Sequence, residues 1–291
     1  MIRVAFLETE RRLVITEAEA PTIQRADQVL IQVSTVGLCG SEVHAFQGTH
    51  PFRRAPVILG HEMAGVVSSV GVDVAQFKPG DRVIVDPQWP CGTCDYCRRG
   101  DSNLCISKKV LGTENWPGAL GEYVVVPQEA VFHLPDNLSF AEGSLIEPLT
   151  IGVHVARRAG LKSGESIAIL GTGSIGGIVT GVSRALGVEQ IIAADIHQHC
   201  LDAARESLGA THDFLVPDDR PVDKIKALTN DQGVDAAFIT ADDVSLLKLA
   251  IDIVKPRGRV VLVALLTEAP LRFMAYPVIA KELHILVFYQ L

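Results

Sequence analysis

The segment SIAILGTGSIGG, residues 166–177, runs an apolar strand-like stretch straight into a glycine-rich turn and then into a helix-like stretch over 174–186. That order commits this part of the chain to a strand–turn–helix unit, because the hydrophobic period changes from a buried strand to a helix across the turn. Gly171, Gly173 and Gly176 spell G-x-G-x-x-G. Such glycines allow a tight turn, close approach of backbone to a pyrophosphate and close helix–strand packing, while the helix start offers unpaired N–H groups. Gly171, Gly173, Ser174, Ile175 and Gly176 are therefore the candidate cofactor-binding residues. Glycine-rich turns also arise without ligands, so a second signal is needed. Asp195 supplies it, 24 residues beyond Gly171 at the end of IIAAD. An acid there can hydrogen-bond both ribose hydroxyls and repel a 2′-phosphate. No arginine follows at once in Ile196, His197, Gln198 and His199, which favours NAD over NADP.

The same rhythm continues downstream. Strands are expected at 190–194, near 214, and at 234–239, 259–265 and 283–288, with helices at 199–208, 223–228 and 244–254. About six strands alternating with helices make an α/β doubly wound parallel sheet. Upstream the texture is β-rich, with alternating Val29, Ile31 and Val33, then MAGVVSSVG, DRVIVD and EYVVVP between Gly, Pro and Asp punctuation. A chain of 291 residues holds about two domains, and the change of texture divides it into 1–152 and 153–291.

Composition removes several classes of function. With 48% hydrophobic and 21% charged residues the chain is neither disordered nor membrane-like. Its 26 basic against 34 acidic residues leave a formal charge of −8, which works against nucleic acid or an anionic bilayer as partner. The start, MIRVAFLETERRL, lacks the apolar core of a secretory signal, and the expected compartment is the cytoplasm.

Four of the six cysteines, Cys91, Cys94, Cys97 and Cys105, crowd into PQWPCGTCDYCRRGDSNLC. Four thiolates can close a tetrahedral Zn2+ shell with no open position, which is a structural site. Two disulfides are disfavoured in a reducing compartment, and an iron–sulfur cluster is not excluded by spacing. Cys39 in VGLCGSEVH and His61 with Glu62 in LGHEMAG are each flanked by glycine and could converge as three ligands of an open, catalytic site. A packed cysteine and a satisfied histidine are the plainer alternative. Cys200 lies away from these motifs and reads as a small packed hydrophobe.

Taken together, GHE after CGSEVH, the four-cysteine lobe, and LIEPLTIGVHVARRAG leading into GTGSIGG resemble the zinc-dependent medium-chain dehydrogenase/reductase superfamily. The EPL segment looks most like its sorbitol (L-iditol) and polyol dehydrogenase branch, and the resemblance runs from about residue 25 to 287. It implies a GroES-like catalytic domain followed by a Rossmann domain, with the active site in a cleft between them. It implies a catalytic zinc on Cys39, His61 and Glu62, with Glu147 as a ligand or acting through bound water, and a second, structural zinc on the cysteine lobe. A carboxylate at Glu147 accompanies polyol-type enzymes, whereas alcohol dehydrogenases less similar to this chain place a cysteine there; Glu147 also reads as a helix-start acid favoured by the dipole. Ser41 and His44 match the family's proton relay, and Glu42 stands where the family commonly has Asp, a difference that reads as minor.

The implied reaction is hydride transfer from a secondary alcohol or polyol to NAD, giving a ketone or ketose. An L-threonine or diol dehydrogenase is the alternative. The implied assembly is a homo-oligomer, dimer or tetramer, formed through the last strand at 283–288. The family then continues with a glycine, an aromatic residue and an Arg–Tyr pair, where this sequence reads Phe288, Tyr289 and Gln290 and stops. The expectation is a chain lacking the return segment of the catalytic domain, for which a non-catalytic zinc- and NAD-binding remnant is a further alternative.

Overall fold

The computed structural model describes residues 1–216, 220–266 and 273–288. Tyr289 and Gln290 lie outside the described residues. The chain divides into two compact units, residues 1–147 and 148–288.

In the first unit the elements are β1 (Ile2–Thr9), β2 (Arg12–Ala18), β3 (Gln28–Gly37), α1 (Gly40–Gln47), β4 (Val57–Ile58), β5 (Glu62–Val70) and β6 (Arg82–Val85). They continue as β7 (Gln88–Trp89), α2 (Asp95–Arg98), β8 (Lys109–Val110), β9 (Tyr123–Pro127), β10 (Val131–His133), α3 (Phe140–Ser144) and the start of α4 (Ile146–Ala159). A five-stranded antiparallel sheet has the order β10-β6-β5-β3-β9, and a three-stranded one the order β2-β1-β4. Alternation explains the core: Val29 and Ile31 of β3, Val83 and Val85 of β6, and Val124 and Val126 of β9 point to one side and are buried together with Met63 and Val67. Register then places the chemistry. Gly37 pairs with Glu62, so the chain leaving β3 and the chain entering β5 meet at one end of the sheet. Cys39 follows the first and His61 precedes the second.

The second unit continues α4 and adds β11 (Ser166–Leu170), α5 (Ser174–Ala185), β12 (Gln190–Asp195), α6 (Gln198–Glu206), β13 (His212–Leu215) and α7 (Pro221–Leu228). It ends with β14 (Val234–Ile239), α8 (Leu246–Ile253), β15 (Val254–Leu262), α9 (Ala275–Ala280) and β16 (His284–Val287). The six strands are parallel in the order β13-β12-β11-β14-β15-β16. The order reverses at β11, the switch point at which such sheets bind ligands. Both faces are covered: Ile167 and Ile169 pack on one side, Ala168 and Leu170 on the other. That is why these strands read as continuous apolar runs.

Several boundaries differ from the sequence reading by a few residues, most of all at the start of β15, which lies at Val254 rather than Arg259. The helix expected to reach residue 254 stops at Ile253, and Val254 already pairs with Val234 as the start of β15. Pro256 accounts for it, because a proline two residues on cannot continue the helix and pushes Lys255 towards extended backbone. Among the described residues, no helix is long and apolar enough to cross a membrane.

Asp235 ties the sheet laterally. Its Oδ2 accepts the Ser166 backbone N–H and hydroxyl, each at 3.0 Å, and its other oxygen pairs with Lys255. Burial pushes this carboxyl up, but the hydrogen bonds from Lys255 and Ser166 outweigh it and hold it below the usual carboxylate range. A depressed folded-state pKa contributes stability above the unfolded value of about 4, and that stability is lost as pH falls through the folded value. Asp235→Asn is therefore expected to unfold at lower urea than the parent at neutral pH, and the gap between the two is expected to close below about pH 4. A gap of constant size across pH would contradict this.

Candidate active and metal sites

Cys39 is the N-cap of α1, a helix that the sequence pattern did not announce. Three to four residues apart on a helix share a face, so α1 brings Ser41 and His44 to one side. His61 and Glu62 are 3% and 5% exposed, and Glu147 lies in the first turn of α4. Ligand atoms of His61, Glu62 and Glu147 lie within 4.8 Å of one another, as do those of Cys39, Glu42 and His61. His61 belongs to both sets and links them. The first unit thus gathers all four residues expected to serve the catalytic metal.

Burial in a cluster of like charge shows in the protonation of the group. Burial, then the neighbouring Glu62 charge, pushes the Glu147 carboxyl up to about 8. Burial likewise pushes the Cys39 thiol up to about 11 and raises Glu62. A divalent cation would relieve this repulsion and displace those protons, so the donor set of thiol, imidazole and carboxylates fits zinc. The Ser41 hydroxyl is buried beside the Cys39 sulfur and makes no hydrogen bond of acceptable geometry, an orphan atom awaiting a polar ligand. His44 Nδ1 is 3.1 Å from the Thr49 hydroxyl.

Glu42 was underrated by its sequence position. Its Oε2 accepts the Cys39 N–H at 3.0 Å and so caps α1, while Oε1 accepts from His61 Nδ1 at 2.7 Å. Burial opposes its ionisation, but the hydrogen bond from His61 and the nearby Arg53 charge hold its carboxyl below the usual range. A carboxylate on Nδ1 fixes the tautomer and leaves Nε2 for a metal, the arrangement that orients ligating histidines generally. The only sequence signal was the residue's place between Cys39 and His44.

The cysteine lobe closes on itself. Sγ of Cys94 and Cys97 are 3.5 Å apart, those of Cys91 and Cys97 4.0 Å, and all four sulfurs lie within 4.8 Å. These separations exclude disulfides, which need about 2.05 Å. They bracket the edge of about 3.8 Å of a tetrahedron with Zn–S bonds of about 2.3 Å. Backbone N–H groups of Thr93 and Cys94 hold the Cys91 thiol down at about 6, ready to ligate as thiolate. Cys200 sits half-buried on α6, apart from both sets.

In the second unit, Gly171 stands at φ 97° directly after β11, and Gly173 caps α5. A Cβ on Gly176 would overlap the Gly171 carbonyl, so only glycine permits this approach of helix to turn. Ser174 and Ile175 form the first turn of α5. Asp195 ends β12; its Oδ2 accepts the Thr172 N–H at 2.6 Å and its Oδ1 the His197 N–H at 2.8 Å. The Thr172 hydroxyl adds a third bond to Oδ2 at 3.4 Å; a carboxylate has about four lone-pair sites, so these bonds orient Asp195 and leave acceptor capacity for a ribose.

Residues 25–136 match the family model of the alcohol dehydrogenase GroES-like domain, and 174–290 that of the zinc-binding dehydrogenases. Sorbitol dehydrogenase of Bacillus subtilis (strain 168) is 38% identical over 268 residues, 91% of this chain and 75% of that enzyme. The chain belongs to the zinc-dependent medium-chain dehydrogenase/reductase superfamily. Among solved structures, alcohol dehydrogenase TADH from Thermus sp. ATN1 is 31% identical with a TM-score of 0.90, over 98% of this chain and 84% of that one. A Sinorhizobium meliloti 1021 protein solved with NADP is 29% identical, with a TM-score of 0.91 over 99% of this chain and 84% of that one. As a member of this superfamily the chain is an oxidoreductase of the alcohol dehydrogenase type, acting on a small molecule. That chemistry uses zinc and a nicotinamide cofactor.

Between Cys91 and Cys105 only Cys105 is buried, so the lobe has no apolar core of its own to hold it. Cys94→Ser is expected to open it: trypsin should cut at Arg98 or Arg99 far sooner than in the parent, while the rest of the chain stays resistant. Equal cutting in both proteins would show that the sulfurs do not hold the lobe.

Proposed function

We propose that the chain oxidises a secondary alcohol or polyol, of the sorbitol or L-iditol type, to the ketone or ketose with NAD, using one catalytic and one structural zinc. The observation that carries this reading is the meeting at buried His61 of two donor triads, Cys39–Glu42–His61 and His61–Glu62–Glu147, with the orphan Ser41 hydroxyl on the same helix as Glu42. When bound, zinc supplies Lewis acidity at the alcohol oxygen and the nicotinamide takes up the hydride.

Cys39, His61 and Glu62 hold the catalytic metal, with Glu147 in contact directly or through water, and Cys91, Cys94, Cys97 and Cys105 hold the structural one. Three firm ligands and one adjustable carboxylate keep a position open for substrate, which the four-thiolate set does not. Ser41 Oγ takes the alcohol proton, since its own hydrogen-bonding capacity is unspent. His44, a side chain of the type that titrates nearest neutrality, passes the proton outward on the same face of α1. Gly171, Gly173, Ser174, Ile175 and Gly176 cradle the pyrophosphate at the start of α5, and Asp195 binds the ribose. The similarity to a sorbitol dehydrogenase and the carboxylate at position 147 support the polyol class.

Purified protein is expected to reduce NAD faster than NADP with sorbitol or xylitol, to act less on butanediol or threonine, and to stop on addition of chelator. Metal analysis should return about two zinc per chain. Bound zinc without turnover on any of these alcohols would overturn the catalytic reading, and preference for threonine or butanediol would move the substrate class.

We further propose that β16, an edge strand of its sheet, pairs with the same strand of a second copy in a dimer or tetramer. Light scattering should give a multiple of the 31.3 kDa chain mass. A monomeric mass at micromolar concentration would refute it.

A further inference from the structure

The segment between α1 and β4 carries two buried side chains for which the chemistry above has no use. His50 is 3% exposed, and its Nδ1 accepts the Arg53 N–H at 2.9 Å and the Phe52 N–H at 3.3 Å. That turn delivers Arg53 to the interior, where it is 1% exposed. Its Nη1 donates to the carbonyls of Leu111 at 2.7 Å and Gly112 at 3.1 Å, and stands 3.9 Å from Glu42 Oε1. Gly112, at φ 80°, makes room for it, since a Cβ there would lie 2.5 Å from Nη1. Arg53 Nε is buried and makes no hydrogen bond.

A guanidinium buried with one donor unspent is a poor way to fill space, because an apolar side chain of similar volume would avoid its desolvation. Opposite charge accounts for its position: Glu42, whose carboxyl is held below the usual range, is the carboxylate it stands against. The carboxylate it faces is the one that caps α1 with one oxygen and receives His61 Nδ1 with the other.

We propose that Arg53 is a positioning residue of the catalytic metal site: its guanidinium pins the Glu42 carboxylate against His61 Nδ1, and so holds the imidazole with Nε2 presented as the ligand. This rests on the reading of Cys39, His61, Glu62 and Glu147 as that site. Arg53 itself is not placed among the ligands or the relay. The Leu111 and Gly112 carbonyls anchor Nη1, so its fixed charge faces Glu42 Oε1 from one place, which the more flexible ammonium of a lysine holds less well.

The test is cobalt(II) binding to zinc-stripped protein, read by optical spectroscopy and chelator competition, with the signal missing from Cys39→Ser taken as that of the site. Arg53→Met is expected to weaken cobalt binding there on the order of tenfold and to shift its absorption, the scale on which such supporting partners act. Glu42→Gln should do the same. Because the arginine acts through that carboxylate, the Arg53→Met/Glu42→Gln double variant should bind no more weakly than Glu42→Gln alone. Arg53→Lys should recover part of the loss, and it replaces Arg53→Met throughout the cycle if the latter fails to fold. Unchanged affinity and spectrum in the arginine variants, or losses that multiply in the double variant, would overturn the proposal while leaving the site reading intact. Absence of a Cys39-dependent cobalt signal in the parent would instead overturn the site reading, and the role of Arg53 with it.

Discussion

Charge buried away from water must be paired, and in the first unit that requirement falls on Glu42. Burying a carboxylate alone is costly enough that the group would give up its charge. Here one oxygen satisfies the start of α1 and the other His61, with a buried guanidinium behind. The helix that presents Ser41 and His44, and the histidine of the GHE segment, are therefore fixed by one side chain. A shorter Asp at this place would have one methylene less to span the same two donors. The substitution that looked incidental in the sequence has a geometric role in the structure.

Asp195 shows how much a local motif discloses by itself. Its distance from Gly171 and its place after an apolar run were readable, because both follow from the strand–helix period and a fixed βαβ length. The structure sets it at the end of β12, next to the strand where the sheet order reverses. The cysteine lobe was legible for the same reason: its four donors are close in sequence, and short spacing limits how far apart they can fold. Helix α8 was read too long because its apolar face continues smoothly into β15, and only Pro256 marks the change.

What the sequence concealed is long-range. Cys39 and His61 were suggestive as separate fragments, but their convergence depends on the Gly37–Glu62 pairing of β3 with β5, which no local pattern encodes. Helix α1 escaped notice because it is eight residues long and its composition is mixed, below the length at which periodicity can speak. Arg53 escaped more completely. An arginine in HPFRRAPV reads as a solvated charge, and its burial is decided by the Leu111 and Gly112 carbonyls, 58 and 59 residues away.

The two candidate metal sets are brought together in different ways. In the lobe the donors crowd one short segment, and backbone N–H groups already favour thiolate at Cys91, so the sulfurs can organise a segment that has almost no core. In the Cys39 set the donors come from three distant elements, and burial raises Cys39, Glu62 and Glu147 towards their protonated forms. There the side chains are held together by the scaffold, through sheet register, a helix cap and the Glu42 bridge. On the proposed reading, a scaffold-held set of this kind can keep a position open for substrate, whereas four thiolates in one short segment close around their ion.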